Sequence, residues 1–245
     1  MGTAELSSSS TSSSLTTLAF QRLRADIVTG VLFPDQRLRI QALGERYDIG
    51  ATAIREALSR LTSDGLVEFQ EQRGFRVAPV SRDELLDLTQ TRIDLDCVAV
   101  RRAIERGGID WESNVVSSFH RLSKTKIPTS PELFDEWLVA HSAFHESLLA
   151  GCQSPTTLQL CRLVREKLAR YHNLSLRNTT LEDRDTLAEH KLLLDAVIAR
   201  DAPGAQQLIA EHFGKSAELA LLAFDRAFPV GDTSAHTKVG KRQEG

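Results

Sequence analysis

The stretch from Ile49 to Val67, IGATAIREALSRLTSDGLV, constrains the fold of this chain more than any other. Ile54, Leu58 and Leu61 recur at i, i+4 and i+7, which places them along one side of a helix. Thr52, Arg55 and Ser59 recur at i, i+3 and i+7 on another side, and none of them is apolar. Glu56 and Arg60 stand four apart, in the orientation that supports a helix through an exposed ion pair. Asp64-Gly65 ends the helix, because glycine accepts the left-handed conformation that follows a last turn. A short helix with a small-residue entry, Gly50-Ala51-Thr52, and an arginine one turn in suits the recognition helix of a helix-turn-helix. An ordinary amphipathic surface helix carries the same stripes, so the flanks must decide.

Upstream, Phe20, Leu23 and Ile27 form an i, i+3, i+7 stripe that predicts a helix from Leu15, closed by Gly30. Phe33-Pro34-Asp35 signals a turn, Leu38 to Ile40 is extended, and a second short helix fits Gln41 to Tyr47 with Leu43 as its anchor. Downstream, Leu66 to Phe69 and Phe75 to Val77 flank the turn Gln72-Arg73-Gly74. Three helices followed by a two-stranded hairpin is the winged helix-turn-helix layout, here over residues 15–78. Residues 1–14 hold a serine and threonine run with almost nothing apolar to bury, and are expected to be a disordered tail.

Charge supports the winged-domain reading. Between Leu15 and Val80 there are nine arginines, no lysine and eight acids. The domain is therefore nearly neutral, and its arginines have to be sorted in space. Arginine carries a planar fork suited to phosphate and guanine edges, which lysine lacks. The whole chain has a net charge of −3, so any basic surface is local. No apolar run approaches the roughly 20 residues that span a bilayer, and no secretory signal opens the chain. Cys97, Cys152 and Cys161 form an odd, unclustered set that fits reduced, buried thiols in a cytoplasm.

Residues 79–81 read as a linker, and Ser81-Arg82-Asp83-Glu84 as a capping box. From there the pattern is helical to Phe228, with helices expected at 82–106, 111–124, 132–150, 156–176, 181–200 and 202–228. Breaks fall at Gly107-Gly108, Pro128 to Pro131, Gly151 to Pro155, near Asn178 and at Asp201 to Gly204. The fold class is thus mainly α: a winged domain followed by an all-helical bundle long enough to bury its own core. Residues 229–245 are polar and are expected to be a flexible tail.

Four histidines fall on apolar stripes of this bundle. His141 and His145 are one turn apart, in register with Trp137, Phe144 and Leu148; His190 shares a face with Leu187 and Leu194, and His212 with Leu208 and Ile209. Two imidazoles one turn apart can chelate a metal from one helix, and neighbouring helices can complete the shell. Imidazole ligands favour a divalent transition metal, Zn or Ni, over Mg or Ca. Arg92 lies on a stripe with Leu85, Leu88, Leu95 and Ala99 and so points into the bundle. A buried arginine needs an anion. Asp96 four residues on would meet that need structurally; a carboxylate ligand held by Arg92 and a metal would meet it functionally.

The run PDQRLRIQALGERYDIGATAIREALSRLTSDGLVEFQEQRGFRVAPVS resembles the DNA-binding domain of the GntR family of bacterial transcription regulators. The resemblance implies that Gln41, Gly50, Thr52, Arg55, Arg73 and Gly74 face DNA, through the recognition helix and the wing tip. Ala51 stands where many members have a base-reading arginine, which throws weight onto Arg55 and Gln41. The helical half is similar to the ligand-binding (FCD) domain of the FadR-type branch, on Arg92-Ile-Asp-Leu-Asp96, AFHESLLAGC from Ala143, Glu189-His190 and Glu211-His212. Within that branch, DEWLVAHSAFHESLLAGCQS looks closest to the glutarate-responsive CsiR repressors. Metal-binding members line their cavity with an aspartate and three histidines; His145, His190 and His212 match the histidines, and His141 replaces the aspartate.

These features lead to a homodimeric repressor that binds palindromic double-stranded operator DNA and senses a small carboxylate. The rival is a metal-dependent hydrolase built on the histidine cluster. A zinc-protease helix would place glutamate directly after the first histidine, and Ser142 is there. Glu146 and Glu189 adjoin candidate ligands but, as helix neighbours, are expected to point away from them.

Overall fold

The computed structural model describes residues 5–125, 134–176 and 184–227. Three helices, α1 (Glu5–Val28), α2 (Ile40–Tyr47) and α3 (Ala51–Ser63), precede a small antiparallel sheet. Its strands are β1 (Arg37–Leu38), β2 (Val67–Gln70) and β3 (Gly74–Val77), in the order β1-β3-β2. Leu38 and Phe69 both lie opposite Phe75, so the wing shares one register with the strand that enters α2. Ile54, Leu58 and Leu61 are wholly buried against Leu23, Ile27 and Val77. At about 1.5–3 kcal/mol for each large apolar side chain removed from water, that stripe fixes α3 to the domain and turns its polar side outward.

Two expectations for this half change. The first helix starts at Glu5 rather than Leu15. Thr16 and Ala19 are buried on its packed face. Once those turns are fixed, each further residue adds a hydrogen bond without a new nucleus, so the serine run can continue a helix it could not start. The Glu56–Arg60 ion pair does not form either. Glu56 accepts from Thr16 Oγ1 at 3.0 Å, and Arg60 lies 4.5 Å over the Phe20 ring. Both side chains turn to α1, which packs against α3 and offers them less exposed partners.

The second half is a bundle of α4 (Arg82–Arg106), α5 (Ile109–Lys124), α6 (Phe134–Ala150), α7 (Pro155–Leu176), α8 (Thr186–Ile198) and α9 (Ala202–Ala227). The expected breaks at Pro128 to Pro131 and near Asn178, and the tail from Pro229, lie outside the described residues. Helix α8 starts at Thr186, not Leu181, because the Asp185 side chain caps it by accepting from the Ala188 N–H at 2.9 Å. Gly107 and Gly151 do more than break helices: a Cβ on either would run into the Trp111 indole. That indole is buried and donates to the Ser147 carbonyl at 2.8 Å. Among the described residues no helix is long and apolar enough to cross a membrane, and the three cysteines are free, two of them buried.

Helix α7 ties the halves together. Ser81 caps α4 by accepting from the Glu84 N–H at 3.0 Å, as its capping box requires. The return bond is routed through α7: the Ser81 N–H donates to Tyr171 Oη at 3.1 Å, and the Tyr171 hydroxyl donates to the Glu84 carboxylate. Arg170 donates to the Ala78 carbonyl of the linker, Arg24 of α1 pairs with Glu166 at 3.0 Å, and Asn173 Nδ2 donates to the Val28 carbonyl at 2.8 Å.

Candidate functional site

The nine arginines of the winged half separate into two groups. Five are engaged inside the protein. Arg22 donates to the Tyr47 carbonyl at 2.8 Å, Arg46 pairs with Asp26 at 2.9 Å and Arg76 with Asp35 at 3.4 Å. Arg24 and Arg60 have the partners given above. The other four, Arg37, Arg39, Arg55 and Arg73, are exposed and have no acidic or aromatic partner among the described residues. All four line one concavity of about 730 Å³, together with Gln41, Ala51, Phe69 and Gly74. Of the six residues that the sequence points to for DNA, Gln41, Arg55, Arg73 and Gly74 are thus brought together. Gly50, the N-cap of α3, and Thr52 on its first turn are exposed, outside that wall. Gly74, at φ 80°, and Gln72, at φ 61°, make the turn that presents Arg73 at the wing tip.

In the bundle, His141 and His145 come from α6, His190 from α8 and His212 from α9. One ring nitrogen of each lies within 4.8 Å of all the others. His145 Nε2 is 3.2 Å from His141 Nε2 and 3.0 Å from His190 Nε2. His145, His190 and His212 are buried, and Trp137 stacks on the half-buried His141 ring at 4.6 Å. Burial holds His145 and His212 below the usual imidazole range and pushes His190 down to about 3. His145, His190 and His212 are therefore neutral near pH 7. A neutral imidazole has one donor and one acceptor, so one Nε2 facing two others cannot satisfy both contacts with its single proton. A cation can. Tetrahedral donors at about 2.0–2.1 Å from zinc stand about 3.3 Å apart, which these separations approach. The donor set fits a transition metal.

Glu189 and Arg184 complete the arrangement from behind. The Glu189 carboxylate lies 2.8 Å from His212 Nδ1. Arg184 Nη2 also lies 3.1 Å from that nitrogen; in the tautomer with the proton on Nδ1, directed at Glu189, the Nε2 lone pair is left for the cluster, the arrangement that orients metal-ligating histidines. Arg184 Nη2 donates to Glu189 at 2.5 Å and to the His212 carbonyl at 3.0 Å. Burial pushes the Glu189 carboxyl up, but hydrogen bonds from His212 and Arg184 outweigh it and hold the group well below the usual carboxylate range. Glu189 does not point away from the candidate ligands as its place beside His190 suggests: its carboxylate reaches His212 on another helix. Glu146 turns outward to Arg165 at 2.9 Å.

A cavity of about 330 Å³ opens beside the histidines. Arg92, Arg165, Arg184, Asn173, Trp137 and Phe213 contribute to its lining, and no carboxylate does among the described residues. The volume is at the low end of the roughly 300–1,000 Å³ typical of ligand pockets, so it suits a small ligand. Arg92 is buried, with its guanidinium 3.7 Å over the Phe213 ring and its Nε 3.5 Å from Asp96 Oδ2. Burial lowers the Arg92 guanidinium to about 10, with Asp96 opposing that shift. Val28 and Thr29, at the end of α1, form part of the cavity wall. Sequence reading missed this, since nothing in α1 itself marks its end as facing the bundle.

A winged helix-turn-helix with four unpaired arginines, joined to a bundle that encloses an arginine-lined cavity, defines a DNA-binding regulator of the ligand-sensing type. The matching families agree. Residues 15–77 match the bacterial regulatory proteins of the gntR family and residues 87–215 the FCD domain, and the chain belongs to this family of transcription regulators. It is 40% identical over 206 residues to the HTH-type transcriptional regulator BphR of Paraburkholderia xenovorans (strain LB400), covering 83% of this chain and 84% of that one. It is 39% identical over 197 residues to the HTH-type transcriptional repressor GlaR of Escherichia coli (strain K12), covering 79% and 90%. The solved structure of E. coli McbR/YncC has the same fold, with a TM-score of 0.71 at 20% identity over 86% of this chain and 98% of that one. The family and these relatives are transcription regulators rather than enzymes, which counts against the hydrolase reading.

Proposed function

We propose that the protein is a homodimeric cytoplasmic repressor that leaves a palindromic operator when its bundle binds a small carboxylate. A five-carbon dicarboxylate, glutarate or 2-hydroxyglutarate, is the first candidate. The observation that carries this reading is the cavity, lined by three arginines and by His141, His145 and His212 of the four-histidine cluster, with no acid in its lining among the described residues. A repressor role is supported by the likeness to GlaR.

His141, His145, His190 and His212 would hold the metal, zinc or nickel, which supplies a positive charge and a coordination position for a carboxylate oxygen. Arg92 faces the same space with a planar fork that matches a carboxylate. Phe213 supports the flat side of that guanidinium, and Asp96 holds its far edge. Trp137 and Leu219 offer the ligand's methylenes an apolar surface.

The route to DNA is short. Val28 and Thr29 wall the cavity at the end of the helix that packs against α3. Asn173, from the same wall, holds the Val28 carbonyl. Arg92 lies on α4, which follows the wing directly. A ligand that tightens Arg92 towards the histidines displaces both connections. Two recognition helices of a dimer must sit about one DNA turn apart, so a small shift spoils their spacing. Operator obtained by selection from a random-sequence pool, followed by fluorescence anisotropy against C3–C6 mono- and dicarboxylates, tests the reading. Release by one or more acids and not by the matching amides is expected; equal release by glutarate and glutaramide would refute it.

A further inference from the structure

We propose that Arg37 and Arg39 grip the phosphate strand lying between the groove entered by α3 and the groove reached by the wing. This rests on the reading that α3 and the wing both face DNA. Arg37 pairs with Arg76, and Leu38 with Phe75, in the sheet register. The chain leaving β1 at Arg39 therefore runs beside Gly74 at the wing tip. On its other side, α3 presents Ala51 and Arg55 to the same concavity. Arg37 and Arg39 thus sit between the two elements that reach into grooves, and adjacent grooves are separated by one phosphate strand. Phosphate contacts position a protein on the duplex, while side chains at groove-entering elements read bases.

The charge pattern points the same way. Arg39 stands at the N-cap of α2 in an extended conformation, φ −89° and ψ 116°, but its side chain makes no capping bond. Both guanidiniums are exposed and unpartnered among the described residues, whereas neighbouring Arg76 is neutralised by Asp35. The lining they share with Arg55 and Arg73 contains no acid among the described residues. Four like charges around one concavity repel each other, in a chain with a net charge of −3. An external polyanion is the partner that relieves this. Ala51 adds only a methyl group at this wall, so Arg37 and Arg39 supply charge beside the single arginine, Arg55, that the recognition helix contributes.

The test needs no operator, because non-specific affinity comes from phosphate contacts. The full chain is titrated with a labelled 25-base-pair random-sequence duplex at several KCl concentrations. Each lost phosphate contact should make the slope of log K against log salt shallower by about 0.9. The Arg37→Ala, Arg39→Ala protein should lose about 1.8 per bound chain, and its affinity at low salt should fall correspondingly. An Arg37→Lys, Arg39→Lys protein keeps the charges and should keep the slope, which separates phosphate contact from packing or base reading. An unchanged slope in the alanine protein, or a lysine protein as defective as the alanine one, overturns the proposal. Wild-type protein that binds no duplex at low salt overturns the DNA-facing reading beneath it. Thermal melting of each variant confirms that the exposed substitutions leave the fold intact.

Discussion

Replacing Arg92 by methionine separates the two roles open to that side chain. Arg92 and Asp96 are each 4% exposed, and Nε to Oδ2 is 3.5 Å, the outer limit of a hydrogen bond. Asp96 Oδ1 has no hydrogen-bond partner among the described residues. Methionine keeps much of the packing against Phe213 but strands the Asp96 charge. Removing one partner of a buried pair costs about 3–5 kcal/mol. Burial already pushes the Asp96 carboxyl up, and Arg92 is the main influence opposing that shift. Without it the folded-state value rises further above the unfolded value of about 3.9. The sign follows: the deficit is smallest below the unfolded value and grows as pH rises through the folded one. Urea unfolding should therefore show a larger deficit at pH 7.5 than at pH 4.5, and adding Asp96→Asn should remove the pH dependence and recover most of the stability. Both Arg92→Met proteins should still bind operator without responding to the carboxylate. An Arg92→Met, Asp96→Asn protein released with the wild-type midpoint would show that the pair is only structural.

Three further outcomes are expected. Arg55→Ala should cost about 1–3 kcal/mol of operator binding in anisotropy titrations, as for a bidentate contact, with no loss of stability because Arg55 is exposed opposite the buried stripe. Elemental analysis of untagged protein should find about one equivalent of zinc or nickel per chain, falling sharply in a His145→Ala, His190→Ala protein; equal metal in both would remove the histidines from the site. Asn173→Ala deletes a bond worth about 0.5–1.5 kcal/mol, and should blunt the effector response while leaving metal content unchanged. A full response in that protein would exclude Val28 as the link between the halves.

What the sequence made legible follows physical range. Ile54, Leu58 and Leu61 announce their helix because a 3.6-residue period is a local property, and the same holds for the Ser81 cap. The histidine convergence was legible because each imidazole breaks an apolar stripe, so an inward polar group shows in one helix at a time. The partners of those groups were not. Glu189 reaches His212 across 23 residues, and Thr16 reaches Glu56 across 40, distances over which spacing carries no information. The Glu56–Arg60 pair was expected from spacing alone, and a tertiary neighbour displaced it. Neutral overall charge showed that the arginines had to be sorted, but only the fold shows which five are engaged by the protein and which four are left to face one concavity.

The most direct test of the account is whether release from DNA requires the metal. Operator affinity is measured at fixed salt, with and without glutarate, on protein loaded with zinc and on the same protein stripped by chelator. Loaded protein should lose about 1–3 kcal/mol of operator binding when the carboxylate is added, the usual range for an allosteric coupling. Glutarate affinity should weaken by the same factor when operator is present. Stripped protein should bind operator and ignore glutarate. A stripped protein released as readily as the loaded one would contradict the claim that the histidine cluster and Arg92 form one carboxylate-sensing site.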